Sequence, residues 1–448
     1  MATHIDVRPQ PGEPARITPS GGSVSSPSSN GKGRARQVES HTESAAARSA
    51  AAGNHTAQPS AVSPAPVPSS DAGATPAKPQ LQPEPPDVWT DPYNSFNSWK
   101  GLMYFQHYQG IINEKLLPPV EASIDPTYVC NIDCVWCNSW RILHKDDKVG
   151  HRMTSEHLLN LCAFLADWGV RGFCFAGGGD PTLHPALWDA LRLVRDRGRE
   201  SSIITNGIAI ESQEKRETAV ACTRWIGISL DAGTARTYAQ LKKTSPRKFE
   251  QILENVRAMM EIKRRSGARC EIAIKYLIHP TNQHEILTAC EIARDLEVHH
   301  FHARPAASEN IEGLGDVLHF DMDLVNEQLA RCLRMQTRDF KVFGVRHKFT
   351  ETMNLKHGFS RCWSAPLTIQ CGADGYVYNC VDWRGDPRFV LGSHYPDPRQ
   401  VLEFWGSPKH IQFMKDVQVD RCPRCTYGIY AQQIESAVLG DAMCVNFP

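Results

Sequence analysis

The sequence predicts an α/β protein: a partial (β/α)6 barrel of the TIM type, with a small cysteine-rich domain after it and a disordered tail before it. Three observations predict this arrangement. Short apolar runs alternate with amphipathic stretches from residue 119 onward, cysteines cluster in two places, and the first 86 residues contain no Phe, Trp, Tyr or Cys. Alternating strand and helix patterns favour a parallel sheet covered by helices.

The N-terminal part of the chain has two segments of different composition. Residues 1–86 are rich in Ser, Ala, Pro and Gly. Such a segment cannot bury enough apolar surface to offset the entropy lost on ordering, so it is predicted to be disordered. Residues 87–118 are rich in aromatic residues and are predicted to form an extension, with a helix at about 98–115, that packs against the barrel.

The charge and hydropathy of the chain exclude several classes of function. Lys plus Arg equals Asp plus Glu at 49 each, so no basic surplus attracts nucleic acid or an anionic membrane. The sequence contains no apolar run as long as a membrane span and no secretory signal, so a cytoplasmic protein is expected. In that compartment the 15 cysteines indicate metal or redox sites more readily than disulfides.

The barrel is predicted to occupy residues 119–310 and to contain six strands. They are 120–126, 170–177, 201–207, 224–231, 270–279 and 298–306. Helical patterns lie between them, and two of these patterns end on a glycine, the usual residue just after a helix. Six units are fewer than the eight of a closed barrel, so the sheet is expected to stay open.

Polar and glycine-rich positions recur just after the predicted strands, where barrels of this type place their active sites. The first strand is followed by the stretch CNIDCVWCN, which contains Cys130, Cys134 and Cys137. Three cysteines without a fourth ligand suit an iron–sulfur cluster that keeps one iron open. The candidates that follow the later strands are Gly177, Gly178, Gly179, Asp180, Asn206, Ser229, Asp231 and Arg304.

The spacing CxxxCxxC, with Trp136 before the last cysteine, resembles the motif that defines the radical S-adenosylmethionine (SAM) superfamily. The resemblance implies a catalytic 4Fe–4S cluster on Cys130, Cys134 and Cys137 whose open iron binds SAM. It implies that an electron from the cluster splits SAM to a 5′-deoxyadenosyl radical, which abstracts hydrogen from substrate. It also implies an electron donor of the flavodoxin or ferredoxin type.

Further stretches resemble the SAM-binding motifs of that superfamily. The glycines with Asp180 resemble its GGE motif, whose backbone meets the SAM amino group, although aspartate reaches one methylene less than glutamate. Ser229 and Asp231 resemble residues of the fourth strand that touch the ribose or carboxylate of SAM. The adenine-side motif is loosely resembled by Ile278, Asn282 and Glu285.

A second set of cysteines follows a connector, residues 311–355, that is predicted to be mainly helical. Within residues 356–448, Cys362, Cys380, Cys422 and Cys425 suit a closed cluster or a structural zinc equally well by count. The order C-x12-G-x4-C followed by CxxC resembles the twitch domain, a shortened SPASM extension, which implies one auxiliary 4Fe–4S cluster. Either Cys371 or Cys444 could replace one of the four ligands.

The resemblance implies an oxidoreductase or isomerase that acts on a small molecule of sugar, aminocyclitol or nucleoside type in a biosynthetic pathway. The auxiliary cluster would accept an electron or bind substrate. Candidate proton acceptors are Arg304, Lys275 and His302, from the fifth and sixth strands. Two other functions stay open: the maturation of ribosomal peptides, which many relatives with SPASM extensions perform, and a non-catalytic iron–sulfur or zinc protein.

Overall fold

The computed structural model describes residues 98–137, 139–144, 150–306, 318–344, 358–422 and 425–439. All of these residues belong to one unit, residues 80–448. The predicted disordered tail, residues 1–86, lies outside the described residues, and so do Cys444 and parts of the predicted connector.

A single sheet of ten strands forms the centre of the fold. The strands are β1 (Glu121–Ile124), β2 (Gly172–Phe175), β3 (Glu200–Thr205), β4 (Trp225–Ser229), β5 (Glu271–Ile278), β6 (His300–Pro305), β7 (Lys341–Gly344), β8 (Thr368–Cys371), β9 (Tyr376–Tyr378) and β10 (Val390–Ser393). Their order across the sheet is β10-β9-β8-β1-β2-β3-β4-β5-β6-β7. Within the described residues the sheet is therefore open, as the sequence predicts.

Neighbouring strands from β1 to β7 are parallel, and β8 is parallel to β1. Strands β9 and β10 continue the sheet in antiparallel fashion. Two expectations need correction here. The connector contributes a seventh parallel strand, β7, as well as a helix, and the strands of the cysteine-rich segment extend the barrel sheet at its β1 edge.

The α-helices lie mainly between the strands in the chain. They are α1 (Phe105–Ile112), α2 (Trp140–His144), α3 (Ser155–Trp168), α4 (Leu187–Asp196), α5 (Gln213–Cys222), α6 (Ala235–Lys242), α7 (Arg247–Ser266), α8 (Ile286–Asp295), α9 (Met322–Arg334), α10 (Val401–Phe404), α11 (Pro408–Asp416) and α12 (Gly428–Leu439). Local sequence explains where several of these helices begin and end. The Thr154 hydroxyl accepts the N–H of His157 at 3.1 Å and so begins α3, and Gly267, with φ of 65°, ends α7.

The two faces of the barrel strands differ in polarity. Alternate residues such as Ile124, Phe173 and Ile226 are fully buried in the apolar core that the strands share with the helices. The positions between them carry polar groups, including Ser123 and Lys275. Because successive strand residues point to opposite sides of a sheet, the inner face of the barrel is the polar one.

The N-terminal extension packs against the end of the chain. Instead of the single helix predicted at 98–115, a 3-10 helix (Ser98–Tyr104) leads into α1. The Tyr108 hydroxyl donates to Gln433 Oε1 of α12 at 2.9 Å. None of the described helices combines the length and the apolarity needed to cross a membrane.

Candidate functional site

The cysteine loop lies directly after β1 and is held at its middle by helix α6. The N–H groups of Asp133 and Val135 donate to the carbonyl oxygens of Lys242 and Leu241, at 3.1 and 3.0 Å. These bonds bracket Cys134 on both sides. The end of α6 therefore fixes the central cysteine relative to the barrel.

The three thiols of this loop face one pocket together. Burial raises the pKa of the Cys130 thiol to about 11 and that of Cys137 to about 12, and the neighbouring Cys134 raises both further. The pKa of Cys134 is also raised by burial, with Lys242 opposing the rise. Thiols in such a site stay protonated unless a metal centre provides positive charge for their thiolates.

The glycine loop after β2 packs backbone to backbone against the start of the cysteine loop. A Cβ on Gly178 would come within 3.0 Å of the Tyr128 ring, and a Cβ on Gly179 within 3.0 Å of the Val129 backbone. The N–H of Gly179 donates to Thr127 O at 3.0 Å. Only glycine fits here, because any side chain would push the two loops apart.

Asp180 joins the glycine loop to the end of β3. Its carboxylate accepts the N–H of Thr182 at 3.0 Å, the N–H of Asn206 at 2.8 Å and the hydroxyl of Thr205 at 2.8 Å. The Thr182 hydroxyl also donates to it. Asp180 is only 3% exposed, so its carboxylate is engaged in shaping the pocket wall.

A buried ion pair lies on the opposite wall, between Asp231 after β4 and Lys242 at the end of α6. Asp231 Oδ1 also accepts the N–H of Leu277 at 2.6 Å. Burial opposes the charge of Lys242, but Asp231 and Cys134 outweigh it and raise the Lys242 pKa above its usual value. The ammonium lies 5.1 Å from the centre of the Trp136 ring.

Lys242 is the residue of the site that the sequence analysis misses. A lysine in the last turn of a helix is ordinarily solvated and interacts favourably with the helix dipole. Its position in the sequence therefore does not indicate a role in the site. Here it is 2% exposed and contributes a cation to the pocket.

The pocket as a whole lies at the carboxyl ends of the parallel strands. It brings together most of the predicted residues: Cys130, Cys134, Cys137, Gly177, Gly178, Gly179, Asp180, Asn206, Ser229, Asp231 and Arg304. Three cysteines, a bare glycine backbone, two carboxylates and two cations thus surround one cavity. Such a set can bind a metal centre together with a ligand that carries both positive and negative groups.

Two of the predicted proton acceptors, Lys275 and His302, do not line this pocket. Lys275 and His302 are register partners on β5 and β6, and Lys275 also pairs in register with Ser229 of β4. This row lies one layer below Arg304, whose register partner Leu277 does line the pocket.

Ile278 does not line this pocket either, and its contact with adenine stays a prediction. Ile278 is fully buried in the core on the helix side of β5. The Asn282 side chain donates to the carbonyl oxygens of Asp231 and Leu277 at 2.8 and 2.9 Å. Glu285 accepts the N–H groups of Gly233 and Thr234 at the start of α6. Their hydrogen bonds in this structure hold the turn after β4 and the helix that carries Lys242.

The second cysteine set also forms one group. Burial raises the pKa of Cys362 to about 11 and that of Cys425 to about 12. The charge of Cys422 adds to the rise at both, and that of Cys425 adds to the rise at Cys380. Electrostatic influence of this kind falls off with distance, so the four thiols lie in one region of the fold, which is compatible with ligands of one centre.

Cys371 does not belong to that group. It is fully buried on β8. Burial raises the pKa of its thiol, and Cys162 and Asp125 add smaller contributions to this rise. Its position argues against its role as a replacement ligand, while Cys444 lies outside the described residues.

The described cysteines are all free thiols. Within the described ranges, no three cysteine, histidine or carboxylate side chains converge closely enough to enclose a single metal ion. A four-iron cluster binds each thiolate through a different iron atom, so thiols that share a chamber at wider spacing are compatible with it.

Residues 124–300 match the model of the radical SAM superfamily. The chain is 26% identical over 178 residues to the probable GTP 3′,8-cyclase of Methanothermobacter marburgensis, covering 40% of this chain and 54% of the relative. It is 32% identical over 103 residues to the S-adenosylmethionine-dependent nucleotide dehydratase of a Thermoplasmatales archaeon (strain ISO4-H5), covering 23% and 34%. The chain thus spans about half or less of the curated relatives it matches.

Among solved structures, the fold is similar to SuiB of Streptococcus suis bound to S-adenosylmethionine. The TM-score is 0.52 at 16% identity, over 71% of this chain and 73% of that chain. SuiB bound to the precursor peptide SuiA matches with a TM-score of 0.52 at 14% identity, over 72% of each chain. At this identity the likeness concerns the fold alone.

Proposed function

Residues 124–300 are a radical SAM domain, and from this premise we propose that the enzyme abstracts hydrogen from a small polar molecule of sugar, aminocyclitol or nucleoside type. The observation that carries the proposal is the composition of the pocket, in which three thiols, a bare glycine backbone and two cations face one cavity. Two curated relatives support a nucleotide-type substrate, since their names describe a GTP cyclase and a nucleotide dehydratase.

Cys130, Cys134 and Cys137 would hold a 4Fe–4S cluster through three of its irons. With SAM bound, that cluster supplies a 5′-deoxyadenosyl radical for hydrogen abstraction. The backbone of the glycine loop would orient the SAM amino group, because no side chain stands between that backbone and the cavity. Lys242 and Arg304 are the cations suited to its carboxylate.

The row below the pocket is suited to the substrate. Lys275 and His302 lie on neighbouring strands in direct register, one layer deeper than Arg304. In a substrate between this row and SAM, the hydrogen to be abstracted would lie near the reacting carbon of SAM, and the acidic proton would lie near a basic side chain. We propose Lys275 and His302 as the candidates for proton transfer, because Arg304, predicted as a third, stays a cation if it binds the SAM carboxylate.

The second cysteine group would hold an auxiliary 4Fe–4S cluster in a twitch-like segment. Such a cluster can take up an electron from substrate or bind it. Cys362, Cys380, Cys422 and Cys425 are the proposed ligands, and their mutual influence on pKa supports this assignment. A flavodoxin or ferredoxin is the proposed electron donor. Modification of a ribosomal peptide is the alternative substrate class, since SuiB binds a precursor peptide, but that likeness extends only to fold.

Anaerobic cleavage of SAM tests the proposal. Protein reconstituted with iron and sulfide and reduced with dithionite is expected to convert SAM to 5′-deoxyadenosine, which mass spectrometry detects. Cys130→Ala, Cys134→Ala and Cys137→Ala should each abolish this conversion, whereas Cys162→Ala, at a buried position outside the pocket, should retain it. Undiminished 5′-deoxyadenosine from a variant of the triad would refute the assignment.

Metal analysis distinguishes the two cysteine groups. Intact protein should carry about eight irons, and a variant without Cys130, Cys134 and Cys137 about four. A structural zinc in the second group would instead give about four irons and one zinc in the intact protein.

A further inference from the structure

The C-terminal segment reaches the SAM site through Arg384. This residue follows the 3-10 turn Val381–Trp383, which begins directly after Cys380. Its Nε donates to Val381 O at 2.8 Å, which holds the guanidinium against its own turn. Its Nη1 donates to Asp125 Oδ1 at 3.1 Å. The two side chains are 15% and 0% exposed, so a buried ion pair connects the second cysteine group to the barrel.

Asp125 follows Ile124, the last residue of β1, whose carbonyl oxygen accepts the N–H of Ala176 just before the glycine loop at 3.1 Å. The N–H of Asp125 donates to Cys371 O of β8 at 2.9 Å. Burial raises the pKa of the Asp125 carboxyl, and the Arg384 guanidinium, the Gln370 side chain and the N–H of Gly178 oppose this rise. Among the described residues, Asp125 Oδ2 has no hydrogen-bond partner of good geometry. The carboxylate therefore depends on Arg384 for its charge balance.

Tyr128 provides a second contact between the same regions. It is fully buried, and a Cβ on Gly178 would come within 3.0 Å of its ring. A Cβ on Gly372, just after β8, would come within 3.0 Å of its hydroxyl. Asp125 and Tyr128 thus support the glycine loop, and the C-terminal segment contacts both.

We propose that Arg384 is a positioning residue for SAM: it neutralises Asp125 and thereby fixes the backbone of Gly178 in the geometry that SAM binding requires. This inference rests on the proposed function, because it assigns SAM to the glycine loop. It means that the segment carrying the second cysteine group contributes to SAM affinity without touching SAM. Residues that orient a binding group in this way change affinity by about 10–100-fold when they are removed.

The test measures SAM affinity of the anaerobically reconstituted full chain by equilibrium dialysis. Arg384→Met should weaken SAM binding by about 10–100-fold while iron content stays at the wild-type level. It should also diminish the change that SAM causes in the electron paramagnetic resonance spectrum of the reduced protein. Arg388→Met is the matched control. Arg388 lies in the same segment and pairs with Asp386, but its side chain is 73% exposed. The Arg388→Met variant should bind SAM as wild type does.

Two further variants keep the test decisive if Arg384→Met fails to take up iron. Arg384→Lys retains the charge and should recover part of the affinity, and Asp125→Asn should weaken binding as Arg384→Met does. Because Arg384→Met and Asp125→Asn remove the same ion pair, their losses of SAM affinity should not add in the variant that carries both changes. Wild-type protein that binds no SAM contradicts the proposed function. Wild type that binds SAM no better than Arg384→Met or Asp125→Asn contradicts the positioning role alone.

Discussion

Replacement of Gly179 by alanine should separate the two loops of the proposed SAM site. The added Cβ would come within 3.0 Å of three backbone atoms of Val129, and a backbone cannot rotate out of the way as a side chain can. The N–H of Gly179 donates to Thr127 O at 3.0 Å, and the N–H of Asp180 to Val129 O at 2.9 Å. Relief of the clash therefore costs at least one of these hydrogen bonds.

The expected loss of stability follows from these contacts. Overpacking of this kind costs about 1–3 kcal/mol, and a lost backbone hydrogen bond adds about 1 kcal/mol. For a unit of this size that corresponds to a fall in Tm of about 3–5 °C. Since Cys130 follows Val129 directly, the variant should also bind SAM more weakly than wild type.

Thermal unfolding followed by far-ultraviolet circular dichroism, together with equilibrium dialysis of SAM, measures both effects on reconstituted protein. Gly172→Ala is the matched control in the preceding strand, because its Cβ would have no heavy atom closer than 4.0 Å. That variant should keep the wild-type Tm within about 1 °C. If Gly179→Ala and Gly172→Ala have the same Tm and the same affinity for SAM, the explanation that the close approach of the loops requires glycine at 179 is wrong.

Two further changes probe buried charges. Lys242→Met leaves Asp231 buried without its cation and should lower the free energy of unfolding by about 3–5 kcal/mol in urea titrations, whereas Lys243→Met, at a side chain that is 55% exposed, should have little effect. An equal loss in both lysine variants would contradict the role of the buried pair. Burial raises the pKa of Glu121 from 4.5 to about 7, so the folded state binds more protons than the unfolded chain between these values. Wild-type stability should therefore fall by about 2 kcal/mol from pH 5.5 to pH 8 through this group. Glu121→Gln should remove that part of the pH dependence, and an unchanged slope in urea titrations at both pH values would exclude Glu121 as its source.

The six strands β1 to β6 could be predicted because each is a short apolar run between turn residues, and alternation with helices fixes their parallel order. Strand β7 could not, since Lys341–Gly344 contributes only four residues at an edge. The pairing of β8 with β1 was also beyond prediction. It depends on contacts between distant segments, which local patterns do not contain.

The candidate site divides in the same way. Cysteines and consecutive glycines have few ordinary uses in such spacings, so the sequence indicates them directly. The placement of Ile278 on the core side depends on the exact register of β5, where a shift of one residue exchanges the two faces. Lys242 and Arg384 gain their roles only through burial beside a carboxylate, which no local pattern reveals.

The pairing of β1 with β8 has a consequence for how the chain is made. Glu121 pairs with Thr368, about 250 residues later in synthesis. At the usual speed of translation, β1 therefore waits on the order of ten seconds or more for one of its two neighbours to leave the ribosome. During that interval the edge of β1, next to the cysteine loop, stays unpaired and exposed to association with other chains. If Cys130 binds iron as proposed, insertion of iron before Thr368 emerges would take place on a half-paired strand, so the order of cluster insertion and chain completion is a point at which assembly can fail.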